Sequence, residues 1–253
     1  MFDLIDECGA DLGAHGYTIK QLGKFAITVA NLFVDGEEKS KALGLAEGKY
    51  YMFISPFLHQ LGVENERYLS SLLAEKIKTL LRSKGVKKSD RILLACLGNF
   101  DIAADSLGKV VFDNFEITSH KKNNNLFKFC PNIFLYTGVE TKEVISLLCT
   151  HLKIKCVIII DSLTTSSLSR LGVSFQLSSA GMTPGSGVNR FGRPIDEKSV
   201  GCHCVSIGVP FMISSQALKQ GGLEEVILVS KDVEEDIKRA GGVIATALGQ
   251  VLL

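Results

Sequence analysis

No apolar run in this chain approaches the roughly 20 residues that a membrane-spanning helix needs, so no such helix is expected. The opening seven residues hold Asp3, Asp6 and Glu7 and no basic residue, which leads to the expectation of no secretory signal and a cytoplasmic protein. Charge of one sign is lacking as well. The 28 Lys plus Arg meet 27 Asp plus Glu, so nothing global points to a nucleic-acid or anionic-membrane partner. Proline is scarce, with 5 residues against 24 Gly, and 46% of the 253 residues are hydrophobic. That composition excludes fibrous and disordered chains and favours a single α/β domain over residues 1–253 with a substantial core.

The seven cysteines, Cys8, Cys96, Cys130, Cys149, Cys156, Cys202 and Cys204, are odd in number and scattered through apolar segments. They read as reduced thiols. Cys202-His203-Cys204 is spaced too tightly for a zinc pair, and in a strand its two thiols share one face. The basic stretch His120-Lys121-Lys122 with Lys128, around Asn123-Asn124-Asn125, reads as a solvated loop.

Apolar periodicity alternates along the chain. Strands are expected at residues 24–32 and 48–55, paired like a hairpin, and a long helix at 64–83, where Leu69, Leu72, Leu73, Ile77, Leu80 and Leu81 recur at helical spacing. A doubly buried strand at 91–97 and a helix at 106–115 follow. Next come a strand at 132–136, a helix at 140–151 and a buried strand at 155–160. Strands at 172–177, 202–207 and 225–229 precede a closing helix at 233–252. Strands alternating with helices imply βαβ units, hence a three-layer αβα fold with a mostly parallel central sheet.

In such sheets ligands sit beyond the carboxyl ends of the strands, and three loops there could carry chemistry. In Gly98-Asn99 through Asp105-Ser106-Leu107-Gly108, Asp105 opens a helix and reads either as a functional carboxylate or as a plain N-cap. Asp161 ends the run Val157 to Ile160. It reads either as a desolvated carboxylate with a raised pKa or as a turn residue bonded to the hydroxyls that follow. Pro184-Gly185-Ser186-Gly187-Val188 could expose backbone N–H groups to an anion or a carbonyl, but lacks the Lys-Ser/Thr of a Walker loop. No Ser sits in a GxSxG elbow, and none of the five His falls in an evident active loop.

Taken in order, these segments resemble the germination protease (spore protease) family. The resemblance is carried by Leu97-Gly98-Asn99, Asp105-Ser106-Leu107-Gly108, Asp113-Asn114, Asp161-Ser162-Leu163, Ser169-Arg170-Leu171, Pro184 to Val188, and Ser206-Ile207-Gly208-Val209-Pro210. Lys49-Tyr50, Ala240-Gly241-Gly242 and the opening Asp3-Leu4, which resembles the start of the mature family enzyme, also fit. The family implies an atypical aspartic endopeptidase of the spore core that degrades small acid-soluble spore proteins during germination. It also implies a homo-oligomer, usually a tetramer, and a fold similar to hydrogenase-maturation proteases. Its two catalytic aspartates fall on Asp105 and Asp161, and Gly185, Ser186 and Gly187 become candidates for holding the substrate carbonyl.

No cofactor, metal, membrane or direct nucleic-acid partner is expected. The chain departs from the family pattern in having Thr183 where His is frequent, a short stretch at 217–225 before the last helix, and no expected prosequence. The alternatives are a degenerate relative that binds without cutting and a metal-dependent, maturation-type endopeptidase.

Overall fold

The computed structural model describes residues 3–8, 11–23, 25–56, 58–117, 125–132, 137–185, 192–213 and 227–253. Eight strands form one sheet in the order β1-β2-β3-β7-β8-β6-β4-β5. They are β1 (Thr18–Gln21), β2 (Thr28–Val34), β3 (Gly48–Ile54), β4 (Ile92–Cys96), β5 (Leu126–Phe129), β6 (Cys156–Thr165), β7 (Ser174–Ser178) and β8 (His203–Ile213). From β5 to β8 the neighbours run parallel. From β8 to β1 they run antiparallel. The sheet is therefore mixed, and β8 is its seam.

Strict alternation in the central strands sends their side chains to two apolar faces. On one face Leu94, Cys96, Ile158, Ile160, Phe175, Leu177, Val205 and Ile207 pack against three helices, α2 (Val63–Ser83), α3 (Leu107–Asn114) and the last helix, α6 (Val233–Leu252). Leu69, Leu73, Ile77 and Leu80 of α2 and Ile237, Ile244 and Leu248 of α6 supply the helical stripe. Gly241 allows the close approach of α6 to α3, since a Cβ there would fall 2.4 Å from Val110 Cγ1. Ser70 ties the two long helices by donating to the Val243 carbonyl at 3.1 Å.

The opposite face is divided. Leu93, Ala95, Val157, Ile159 and Cys204 pack against α4 (Thr141–Leu152) and the short α5 (Glu197–Val200) through Ile145, Cys149 and Val200. A second cluster lies across the antiparallel half. There Ala30, Leu32, Val34, Tyr50 and Met52 meet Leu43 of α1 (Glu37–Leu43) and, from the N-terminal segment, Ile5 and Cys8.

Several expectations shift. The strand expected at 24–32 begins later, at Thr28, and its partner β3 pairs with it as a hairpin-like unit around α1. The strand β1, fully exposed at the sheet edge, falls in a stretch that carried no apolar signal. Of the strand expected at 132–136, residues 133–136 lie outside the described residues, and the strand beside β4 on the side away from β6 is β5. Residues 225–226 are likewise outside, and Leu228 makes a single antiparallel bridge to Ile213.

The strand expected to stop at Ile160 continues to Thr165, with all ten residues buried. Lys128, expected in a solvated loop, caps the C-terminal end of α3, its ammonium donating to the carbonyls of Phe112 at 2.7 Å and Phe115 at 2.9 Å. His120, Lys121, Lys122, Asn123 and Asn124 lie outside the described residues. The two thiols of Cys202-His203-Cys204 do share a face, both joining the α4–α5 cluster, while His203 Nδ1 sits 3.3 Å from Glu197 Oε1.

Candidate active site

Asp161 does not sit at a strand tip. It is inside β6, paired with Gly208 of β8, but it is the first residue past the end of β4, whose last partner on β6 is Ile160. Leu97 N–H donates to the Ile160 carbonyl at 2.8 Å as the chain leaves β4. From there it turns sharply. Gly98 has φ 127, and a Cβ on it would lie 2.0 Å from the Asp105 carbonyl oxygen. Only glycine permits that contact. Gly108 is as tightly placed, with a Cβ position 2.2 Å from the Leu97 carbonyl oxygen, so the first turn of α3 rests directly on the end of β4.

These two close approaches fold residues 98–108 back on the sheet edge and bring Asp105 to Asp161. Asp105 ends a 3-10 turn, Ala103–Asp105. It is not the N-cap of the helix. That position is Ser106, which makes no side-chain cap bond. The Asp105 carboxylate instead accepts the Asn99 N–H at 3.0 Å, and Asn99 Oδ1 accepts the Asp101 N–H at 3.1 Å.

Asp161 is 6% exposed and accepts one short bond, from the Ser162 N–H at 2.9 Å. Burial pushes its carboxyl well above the ordinary carboxylate value, and the nearby Asp105 charge pushes further in the same direction. The Ser162 N–H works against them, and Asp3 adds a smaller upward push. Asp105, by contrast, is only partly buried. Two carboxyl groups, one buried and one only partly so, therefore lie close enough for the charge of Asp105 to act on Asp161.

The rest of the site is a polar strip on the divided face of the sheet. Gln176 of β7 pairs with Gly208, so Asp161, Gly208 and Gln176 form one row across three strands. Two strand spacings put the outer two roughly 9–10 Å apart. Ser178 and Ser206 form the next row. The glycine in the middle of the first row is covered by Leu163, whose side chain a Cβ at position 208 would meet at 2.5 Å.

Above the strip lies the N-terminal segment. Gln176 Oε1 accepts the Ile5 N–H at 2.8 Å, and its Nε2 donates to the Asp3 carbonyl. Asp3 Oδ2 accepts the N–H and hydroxyl of Thr164, at 2.9 and 2.8 Å. Glu7 accepts from the Thr165 hydroxyl and the Ser166 N–H, and Asp6 Oδ2 takes Arg170 Nε at 2.6 Å. The polar end of β6, expected as a turn, is thus held as strand by carboxylates from the start of the chain.

Gly185, with φ 72, is at the near end of its loop, and Ser186 and Gly187 lie outside the described residues. The loop's stem is fixed. Met182 and Ile195 exchange backbone hydrogen bonds of 3.1 and 2.8 Å, and the Ser206 hydroxyl donates to the Gly181 carbonyl at 3.0 Å. That last bond anchors the stem to the polar strip. Asp3, Asn99 and Gln176 were not identified from the sequence as site residues. Gln176 had a visible signal, an amide set between the apolar Phe175 and Leu177.

Among the described residues no group of three or more His, Cys, Asp or Glu is arranged to hold a metal ion, and no helix is long and apolar enough to cross a membrane.

Comparison with known proteins is consistent across most of the chain. A germination protease from Caldanaerobacter subterraneus subsp. tengcongensis is 28% identical over 222 residues, which is 84% of this chain and 68% of that protein. One from Bacillus cytotoxicus is 27% identical over 230 residues, 85% of this chain and 61% of that protein. The chain thus spans some three fifths to two thirds of the length of these relatives. Among solved structures, a [NiFe] hydrogenase maturation protease, HycI from Thermococcus kodakarensis KOD1, is a loose match, with TM-score 0.37 and 17% identity over 63% of this chain and 92% of its own. The family model described as germination protease matches residues 9–240, and the chain belongs to that family.

Proposed function

We propose that this chain is an endopeptidase of spore germination that cleaves small acid-soluble spore proteins, with Asp105 and Asp161 as its acid–base pair. The observation that carries the reading is the buried Asp161 carboxyl with Asp105 beside it, an arrangement that favours the protonated form of the buried acid.

Peptide hydrolysis needs a base to draw a proton from water and an acid to protonate the departing amine. Two carboxyls that share one proton supply both. Asp105, the more accessible partner, takes the proton from the attacking water as its oxygen bonds to the scissile carbonyl carbon. Asp161 gives its proton to the amine nitrogen as the C–N bond breaks, and the pair ends one proton-transfer away from its starting state. Backbone N–H groups of the 184–188 loop, including that of Gly185, are the proposed holders of the developing oxyanion. The substrate class, the oligomeric state (a tetramer by family resemblance) and the spore-core location belong to the same proposal.

Incubating the protein with a purified small acid-soluble spore protein tests it. Discrete fragments are expected from the wild type and none from Asp161→Asn or Asp105→Asn. Fragments from both variants would defeat the pair, and tight binding with no fragments from the wild type would make the chain a binder rather than an enzyme. Cleavage abolished by exhaustive chelation would favour the metal-dependent alternative.

A further inference from the structure

The proposed mechanism uses two carboxylates, and a third stands beside them. We propose that Asp3 is a positioning residue of this site, fastening the N-terminal segment to β6 just past Asp161 and placing a carboxylate next to the Asp105–Asp161 pair. The inference rests on the reading of that pair as the working acids.

Three geometric facts carry it. The first is the irregularity in the β6–β8 ladder, where β8 carries the extra residue, Phe211. The pairing with β8 slips between Leu163 and Thr164, where Leu163 faces Pro210 but Thr164 faces Met212. A bulge of this kind disturbs the ladder and re-aims the side chains around it. Asp3 Oδ2 takes both the N–H and the hydroxyl of the residue at the slip, Thr164, so it fixes the strand three residues beyond Asp161. Second, the segment is held on the same sheet row as Asp161. Gln176 grips the Asp3 carbonyl and the Ile5 N–H on the far side of Gly208 from Asp161. Third, Leu4 and Ile5 are fully buried, so the segment is packed in place rather than laid on the surface.

The charges facing Asp161 come from two elements: Asp105 from the 3-10 turn ahead of α3, and Asp3 from the N-terminal segment. The other two acids of the segment are engaged elsewhere, Asp6 with Arg170 and Glu7 with Thr165 and Ser166. Asp3 is thus the acid of this segment that acts on the pair, and its push favours the protonated Asp161.

The two bonds from Thr164 end on the same oxygen, which gives a clean substitution. In Asp3→Asn the amide oxygen can accept both while the charge is gone. In Asp3→Ala both are lost. The experiment follows the Asp161 carboxyl by 13C NMR through a pH titration in wild type and Asp3→Asn, with the pH profile of kcat/KM against a spore-protein substrate measured beside it.

Removing the charge lowers the Asp161 pKa, so the titration and the basic limb of the profile move to lower pH, with unfolding midpoints near those of the wild type. Asp3→Ala is expected to lose kcat by about tenfold to a hundredfold with little change in KM, as for a misplaced catalytic group. Superimposable titrations and profiles for wild type and Asp3→Asn overturn the inference, as does an Asp3→Ala enzyme with wild-type kcat. Should Asp3→Ala fail to fold, Asp3→Asn decides alone. The NMR titration needs no turnover, so it judges Asp3 even if Asp161→Asn still cleaves and the proposed pair fails.

Discussion

The two faces of the sheet are built on different plans. One carries a continuous apolar core that runs from Ile92 on β4 across to Val29 on β2 beneath α2, α3 and α6. The other is split between the α4–α5 cluster and the cluster under the N-terminal segment. In the gap stand Asp161, Gln176, Ser178 and Ser206, all buried. Every strand at the gap thus has one residue set in the continuous core and an alternate set facing the gap, because successive side chains point to opposite faces. The unbroken face holds the fold so that the broken one can keep a carboxyl away from water, a costly arrangement unless the group stays protonated or finds partners.

Substitutions that separate the two faces test the division. The largest effect is expected at Asp161→Asn, which removes the proposed proton-transfer group without changing shape. Cleavage should fall by about 10²- to 10⁴-fold, with an unchanged circular dichroism spectrum.

Next come neighbours on one strand. Phe175, on the continuous face and fully buried, should cost about 3–5 kcal/mol as Phe175→Ala, read from urea unfolding. Gln176→Ala, one residue along but facing the gap, should cost only about 1–2 kcal/mol for its lost bonds to the segment. Equal losses at the two positions would erase the distinction drawn between the faces. Gly98→Ala should cost about 1–3 kcal/mol from its backbone conformation alone. It should also lower activity out of proportion, because the clash falls on the Asp105 carbonyl.

The smallest and most diagnostic effect is on stability against pH. The folded pKa of Asp161 is raised, so between the unfolded value of about 3.9 and the raised folded value the folded state binds more protons than the unfolded one. Stability from this group therefore falls as pH rises through that window. Asp161→Asn has no such group. It should gain stability relative to wild type as pH climbs from below 4 toward neutrality, measured by denaturant midpoints at a series of pH values.

The elements that sequence made legible are those whose periodicity is set by burial. The helix over 64–83 and the closing helix over 233–252 match α2 and α6 within one residue at each end, since each presents an apolar stripe to the sheet. The doubly buried β4 was legible for the same reason. The edge strand β1 was not, because all four of its residues face solvent and no alternation marks it.

The end of β6 was misread on the other ground. Asp161, Ser162, Thr164 and Thr165 have turn chemistry locally, and pairing with β8, joined at Thr164 and Thr165 by partners some 160 residues away, keeps them in the ladder. Asp105 and Asp161 could be named from the family pattern. Their meeting depends on Gly98 and Gly108 letting one loop lie against the sheet edge, a steric fact no local pattern reports. Asp3 could not be assigned a place at all, because its position is decided by Gln176 and Thr164.

The Ile5–Gln176 bond spans 171 residues, which gives this site a history as well as a geometry. A segment made before the rest of the sheet is seated after it. At synthesis rates of about 5–20 residues per second, residues 3–8 must wait on the order of ten seconds or more before β7 exists to receive them. Until then the sheet face next to Asp161 lacks its cover, and a nascent chain cannot have a finished site.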